Sequence, residues 1–156
     1  MVIRFAENRD IPGIIHLLQQ VGEVHHQIRP DLFRGGAQKY DNAALEELLA
    51  DPDRPVFIAE AEGKVAGHAF CILQKTADNP VLCDRKVLYI DDICVDEAHR
   101  GQGIATALYN RVVEYARELH CHAITLNVWC GNDSAMKFYE KCGMKPQKIG
   151  METILC

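Results

Sequence analysis

One change of hydrophobic period constrains this chain more than any other feature, and it falls just after Val95. Residues 87–95 are β-prone and, apart from Asp91 and Asp92, apolar, so they read as a strand. Beyond them Ile104, Leu108, Val112, Tyr115 and Leu119 recur at about 3.6 residues, one stripe of a helix over residues 102–120. A further β-prone run covers residues 123–129, and a short helical pattern over 132–142 is closed by Gly143. A strand, a helix and a second strand in that order need a crossover, so the two strands pair in parallel.

Upstream the period is two. Residues 2–6 alternate as a short first strand, and residues 55–61 and 65–73 flank the tight Glu62-Gly63-Lys64 connection, a hairpin signal. Hairpins are antiparallel, so the sheet must be mixed. Ile11, Ile14, Ile15, Leu18 and Val21 predict a helix, with Asn8 or Asp10 as its cap and Pro12 tolerated in its first turn. Residues 43–50 predict a second helix that ends before Asp51-Pro52. The polar stretches 22–39, with Pro30 and Gly35-Gly36, and 74–86, with Pro80, are expected to be loops. Residues 145–155 read as two short final strands kinked at Gly150. No repeat or linker divides the chain. The expected fold is α+β: a single domain over residues 1–156, its mixed, mostly antiparallel sheet flanked by helices on both faces in three layers.

Composition narrows the function classes. With 156 residues, 48% apolar and 25% charged, the chain suits one ordinary core. A formal charge of -5 argues against nucleic acid, whose binding rests on Lys and Arg neutralising phosphates. Arg4, Glu7, Arg9 and Asp10 break up the first ten residues, and no apolar run is long enough for a bilayer, so a cytoplasmic protein without a membrane partner is expected. The seven cysteines are odd in number and include no C-x-x-C pair, which excludes a zinc ribbon or a thioredoxin-like motif. They are expected to be reduced thiols, mostly buried. His25-His26 lacks a third ligand nearby, and His120-Cys121-His122 ends a helix, so no metal site is expected.

The chemistry is concentrated in His99-Arg100-Gly101-Gln102-Gly103-Ile104-Ala105-Thr106. The first turn of a helix leaves backbone N–H groups unpaired at its partly positive end, and glycines let an anion approach them closely. This is a pyrophosphate cradle, to which Thr106 can add a hydroxyl. It is not a dinucleotide fingerprint, which needs glycine or alanine where Thr106 stands and an acid ending the next strand. Nor is it a P-loop, since Gly-Lys-Ser/Thr is absent.

Around this turn the chain resembles the GNAT superfamily of acetyl-CoA-dependent acetyltransferases. Arg100, Gly103 and Ala105 meet the pattern Arg/Gln-x-x-Gly-x-Gly/Ala, led in by residues 93–99. Downstream, Asn132, Ala135, Phe138, Tyr139 and Gly143 meet Asn-x-x-Ala-x-x-Phe-Tyr-x-x-x-Gly-Phe, with Met144 in place of the last Phe. The resemblance implies that the backbone of Ile93, Cys94 and Val95 pairs with the pantetheine arm. It implies that Arg100, Gly101, Gln102, Gly103, Ile104, Ala105 and Thr106 hold the pyrophosphate, and that Asn132 and Ser134 add further contacts. It also places Tyr139 near the thioester sulfur and allows a homodimer through the C-terminal strands.

Amide formation makes demands of its own. An alkylamine, with a pKa of about 10.4, must lose a proton before it attacks, and the departing thiolate needs one. The resemblance makes Tyr139 the acid. The segment Leu88-Tyr89-Ile90-Asp91-Asp92 is similar to Leu-Tyr-Leu-Glu-Asp of polyamine N-acetyltransferases, which implies Asp91 as the base, acting through water. Alternation along a strand is expected to send Asp91 and Asp92 to opposite faces. The implied activity is direct acetyl transfer in a ternary complex to a primary amine, on a small molecule rather than on a protein N-terminus or lysine. A non-catalytic CoA-binding module is the alternative of another class.

Overall fold

The computed structural model describes every residue from Met1 to Cys156. Strands β1 (Val2–Phe5), β2 (Val56–Ala61), β3 (Lys64–Thr76), β4 (Arg85–Val95) and β5 (Ala123–Thr125) form one sheet in chain order. The first three pairings are antiparallel. β4 and β5 are parallel and joined by α3 (Ile104–Glu118), as the change of period requires. Glu62 and Gly63, at φ 52° and 73°, make the tight turn between β2 and β3.

Alternation along β2 divides the interior in two. Val56 and Ile58 face α1 (Ile11–Ile28) and α2 (Asn42–Ala50), where Ile14, Leu18, Leu45 and Phe70 complete one core. Phe57 and Ala59 face α3, where Leu88, Ile90, Leu108 and Val112 complete the other. Phe138 and Tyr139 of α4 (Asp133–Lys141) pack against the margin of this second core. Gly67 on β3 lets α3 close down on the sheet. A Cβ there would lie 3.0 Å from the Cys94 carbonyl oxygen and 3.1 Å from the side chains of Ile104 and Leu108. The missing side chain therefore seats the first turn of α3 directly beside the end of β4.

Several expectations are corrected. α1 continues to Ile28 through residues 22–27, because a helix with one apolar stripe carries polar residues on its open side. His25 and His26 thus belong to its last turn, not to a loop. β3 reaches Thr76 and β4 begins at Arg85, which leaves only residues 77–84 between them. β5 stops at Thr125 rather than at residue 129. Residues 145–155 form no strands, and Ile149, Met151 and Leu155 stand exposed at 80%, 88% and 92%. All seven cysteines are free, but only Cys71 and Cys94 are buried.

Candidate active site

The site begins with an irregularity. Phe70 of β3 pairs with Asp92 and Cys71 with Ile90, so Asp91 is an extra residue without a partner: a β-bulge. The extra residue resets the alternation. Ile90 belongs to the core under α3, whereas Asp92 bonds to His68, whose ring meets Phe70 of the other core edge-on. Asp91 and Asp92 both line one cleft, so alternation along β4 does not keep either of them from it.

That cleft exists because β4 and β5 separate. They pair only from Val87 to Tyr89. From Ile90 to Val95 the edge of β4 that β5 would occupy has no strand beside it. Ile90 to Ile93 form one wall, residues 126–129 the other, and Asn132, Ala135 and Tyr139 of α4 close it, with Val21 and His25 of α1 across the opening. An unpaired strand edge offers main-chain donors and acceptors to an extended ligand.

At the far end of β4 lies the cradle. Gly101 and Gly103 both adopt φ 77°, with no atom within 4 Å of where a Cβ would sit, so the space above them is open. No acceptor in the protein takes the backbone N–H groups from Gly101 to Thr106. The lead-in is held from both sides. The Asp96 N–H donates to the Ala66 carbonyl at 2.8 Å. The Gln20 amide of α1 donates to Asp96 Oδ1 at 3.0 Å, and its oxygen accepts from the Glu97 N–H at 3.2 Å. The bond from Gln20, with help from His99 against the cost of burial, holds the Asp96 carboxyl below the usual range. Unpaired donors, two left-handed glycines and a free strand edge fit the pyrophosphate and pantetheine of coenzyme A.

The other end of the cleft carries the ionisable groups. Burial, and then the charge of Asp92, push the Tyr139 phenol above its ordinary range, so it stays protonated. Its ring packs among Phe138 and Tyr109. The Lys39 ammonium donates to Asp91 Oδ2 at 2.7 Å. Asp92 Oδ2 lies 2.7 Å from Nε2 of His68, which is wholly buried. With Asp92 ionised its oxygens only accept, so the ring proton sits on Nε2, and Nδ1 is left without a partner. Cys94 is buried and its thiol donates to the Leu17 carbonyl; burial pushes it up to about 12. No cysteine or serine lines the cleft.

The structure thus brings Asp91, Ile93, Asn132 and Tyr139 to one cleft, with the stretch from Arg100 to Thr106 beyond the end of β4. Two of the expected contact residues are already engaged within the protein. The Asn132 side-chain oxygen caps α4 by accepting from the Ala135 N–H at 3.3 Å, which leaves only its amide for the cleft. Ser134 is exposed, does not line the cleft, and donates its hydroxyl to Asn132 at 3.4 Å. Lys39, His68, Gln20 and Trp129 were not singled out from the sequence for the places they hold. His68 carried the one available signal, as a lone ionisable residue in an otherwise apolar run.

The arrangement defines a class: a protein that seats an extended ligand along an open strand edge and its anionic end on a helix N-terminus. Residues 22–144 match the Acetyltransferase (GNAT) family, and the chain belongs to it. A Methanocaldococcus jannaschii protein named as an N-acetyltransferase is 32% identical over 65% of this chain, which spans only 44% of that relative's length. The L-amino acid N-acetyltransferase AaaT of Escherichia coli is 28% identical over 99% of this chain and 89% of its own. A solved single mutant of the BH1408 protein from Bacillus halodurans superposes with a TM-score of 0.95 at 32% identity, covering 100% of both chains.

Proposed function

We propose that this protein transfers an acetyl group from acetyl-CoA to a primary amine of a small molecule, with donor and acceptor bound together. The observation that carries this reading is the unpaired edge of β4, which joins two otherwise separate features. A free edge of β4 leads from the cradle at Gly101–Gly103 to Tyr139 and two carboxylates. Ile93, Cys94 and Val95 offer their backbone to the pantetheine arm, and the N–H groups up to Thr106 take the pyrophosphate. Asn132 presents its amide to the same groove.

Asp91 receives the ammonium and takes its proton, directly or through a water. Tyr139 returns a proton to the departing sulfur. Direct attack is favoured because the cleft has no cysteine or serine lining it, and Cys94 is a buried thiol rather than a nucleophile. Two carboxylates at the acceptor end favour a cationic amine, and the name of the Escherichia coli relative points to a small acceptor. The free cysteines support a cytoplasmic location. The exposed apolar residues of 149–155, in a segment with no strand partner of its own, support a homodimer in which these segments meet.

The test is release of free CoA across a panel of amines: spermidine, aminoglycosides, amino acids and short peptides. Turnover with a small amine supports the reading. Turnover confined to peptides would move it to a protein N-terminal or lysine acetyltransferase. Tight acetyl-CoA binding with no turnover on any amine would leave a non-catalytic CoA-binding module.

A further inference from the structure

Asp91, the carboxylate best placed to receive an acceptor ammonium, already holds one. Lys39 Nζ lies 2.7 Å from Asp91 Oδ2. Lys39 is carried on the segment between α1 and α2, far from β4 in sequence, and it is half exposed, at 53%. The segment is anchored on both sides of it. His26 Nδ1 meets the Phe33 carbonyl at 2.7 Å, and Phe33 packs edge-on against Trp129 of the cleft wall. Tyr40 stacks on Phe70 and accepts from Arg54 at 3.1 Å. Between these anchors the side chain reaches Asp91, and its charge is also felt by Asp92. A lysine side chain is a butylammonium on a tether, chemically a primary-amine acceptor. Holding it at the site raises its effective concentration far above that of a free amine.

We propose that Lys39 is itself an acetyl acceptor: the protein acetylates Lys39 in cis, and the acetylated side chain releases Asp91 for external amines. This rests on the acetyl-transfer reading above. The ammonium of Lys39 gives one proton to Asp91, and the freed lone pair attacks the thioester carbonyl carbon of acetyl-CoA. The N–C bond forms and the C–S bond breaks. Tyr139 protonates the leaving sulfur, the second amine proton restores the phenol through solvent, and Asp91 releases its proton to water. The products are N-acetyl-Lys39, CoA with its thiol, and one proton. An acetylated Lys39 is neutral, so the ion pair to Asp91 is lost while the anchors at Phe33 and Tyr40 remain.

The experiment incubates the purified protein with acetyl-CoA alone and follows intact mass and peptide masses. The expected result is a gain of one acetyl group, mapped to Lys39, absent from Lys39→Arg. Its first-order rate should be the same over a tenfold range of protein concentration, and excess free CoA, which competes for the donor cleft, should suppress it. Wild-type turnover of n-butylamine should begin with a lag that matches this acetylation, and Lys39→Gln, uncharged like the acetylated residue, should show no lag. The proposal is overturned if n-butylamine or spermidine is acetylated while Lys39 stays unmodified. It is equally overturned if the rate rises with protein concentration or ignores free CoA, since solution chemistry would then account for it. If neither Lys39 nor any external amine is acetylated although acetyl-CoA binds, the acetyl-transfer reading falls together with it.

Discussion

The two ends of the cleft differ in how much of their chemistry is already satisfied. At the donor end the backbone N–H groups from Gly101 to Thr106 and the β4 edge beyond Tyr89 have no partners within the protein. At the acceptor end each carboxylate is taken: Asp91 by Lys39 and Asp92 by His68. On the proposed reading the first end is preformed, because main-chain donors fixed by glycine and helix geometry need no rearrangement to meet an anion. On the same reading the second has to be opened, because an acceptor amine would compete with Lys39 for Asp91. The contrast has a physical origin. Exposed N–H groups can wait in water at little cost, whereas a carboxylate beside a buried histidine and an aromatic wall needs a partner.

The sharpest way to break this comparison is Gly103→Val. The position holds φ 77° in open space, so the substitution meets no neighbour, but it forces a β-branched residue into the left-handed region and fills the anion's approach. Strain of about 1–2 kcal/mol should lower stability without unfolding the domain. Acetyl-CoA binding, measured by calorimetry, should be lost. Retained affinity would mean that the donor end does not rest on this cradle.

Tyr139→Phe probes the junction of the two ends. Turnover should fall by about 10²–10⁴, the range for loss of a general acid, with acetyl-CoA affinity little changed. Burial and the Asp92 charge raise this phenol, so the proton-donating form persists to higher pH than for a free tyrosine, near pH 10. The activity profile should therefore show no loss attributable to it at that pH. A basic limb at the ordinary phenol value that vanished in Tyr139→Phe would contradict the buried setting.

Asp91→Asn acts at the acceptor end alone. It removes the proposed base and the partner of Lys39 together. A rate loss of about 10² is expected, deepest at low pH, where deprotonation of the amine is hardest. A pH profile matching the wild type would take Asp91 out of the mechanism.

The same contrast decides what could be read from the sequence. The cradle is eight contiguous residues between two periodic segments, so its turn and the start of its helix could be read locally. The resemblance over a short segment of fixed spacing pointed to Tyr139, which does line the cleft. The acceptor end is assembled at long range: Lys39 lies 52 residues from Asp91, and His68 lies 24 from Asp92. The bulge at Asp91 has no glycine to betray it, so strict alternation was the natural expectation and did not foresee both carboxylates at one cleft. The polar residues after Gly22 hid the last turns of α1, which bring His25 to the cleft. The end of β5 was missed because residues 126–129 look as β-prone as 123–125, yet they line the opening instead of pairing.

The smallest expected effect falls on His68, and it separates support from chemistry at the acceptor end. His68→Leu keeps an apolar filling but withdraws the donor from Asp92, which is only 14% exposed. Leaving that carboxylate without its bond should cost about 1–3 kcal/mol, read from chemical denaturation. His68→Gln should recover most of it, since a glutamine amide can place an N–H near where Nε2 stood. Acetyl-CoA affinity should not move in either variant, because no donor of the cradle touches His68. A His68→Leu protein as stable as the wild type would show that the bond to Asp92 contributes nothing net. The acceptor end would then be held by Lys39 and packing alone, and the difference between a preformed donor end and a self-paired acceptor end would rest on the single contact between Lys39 and Asp91.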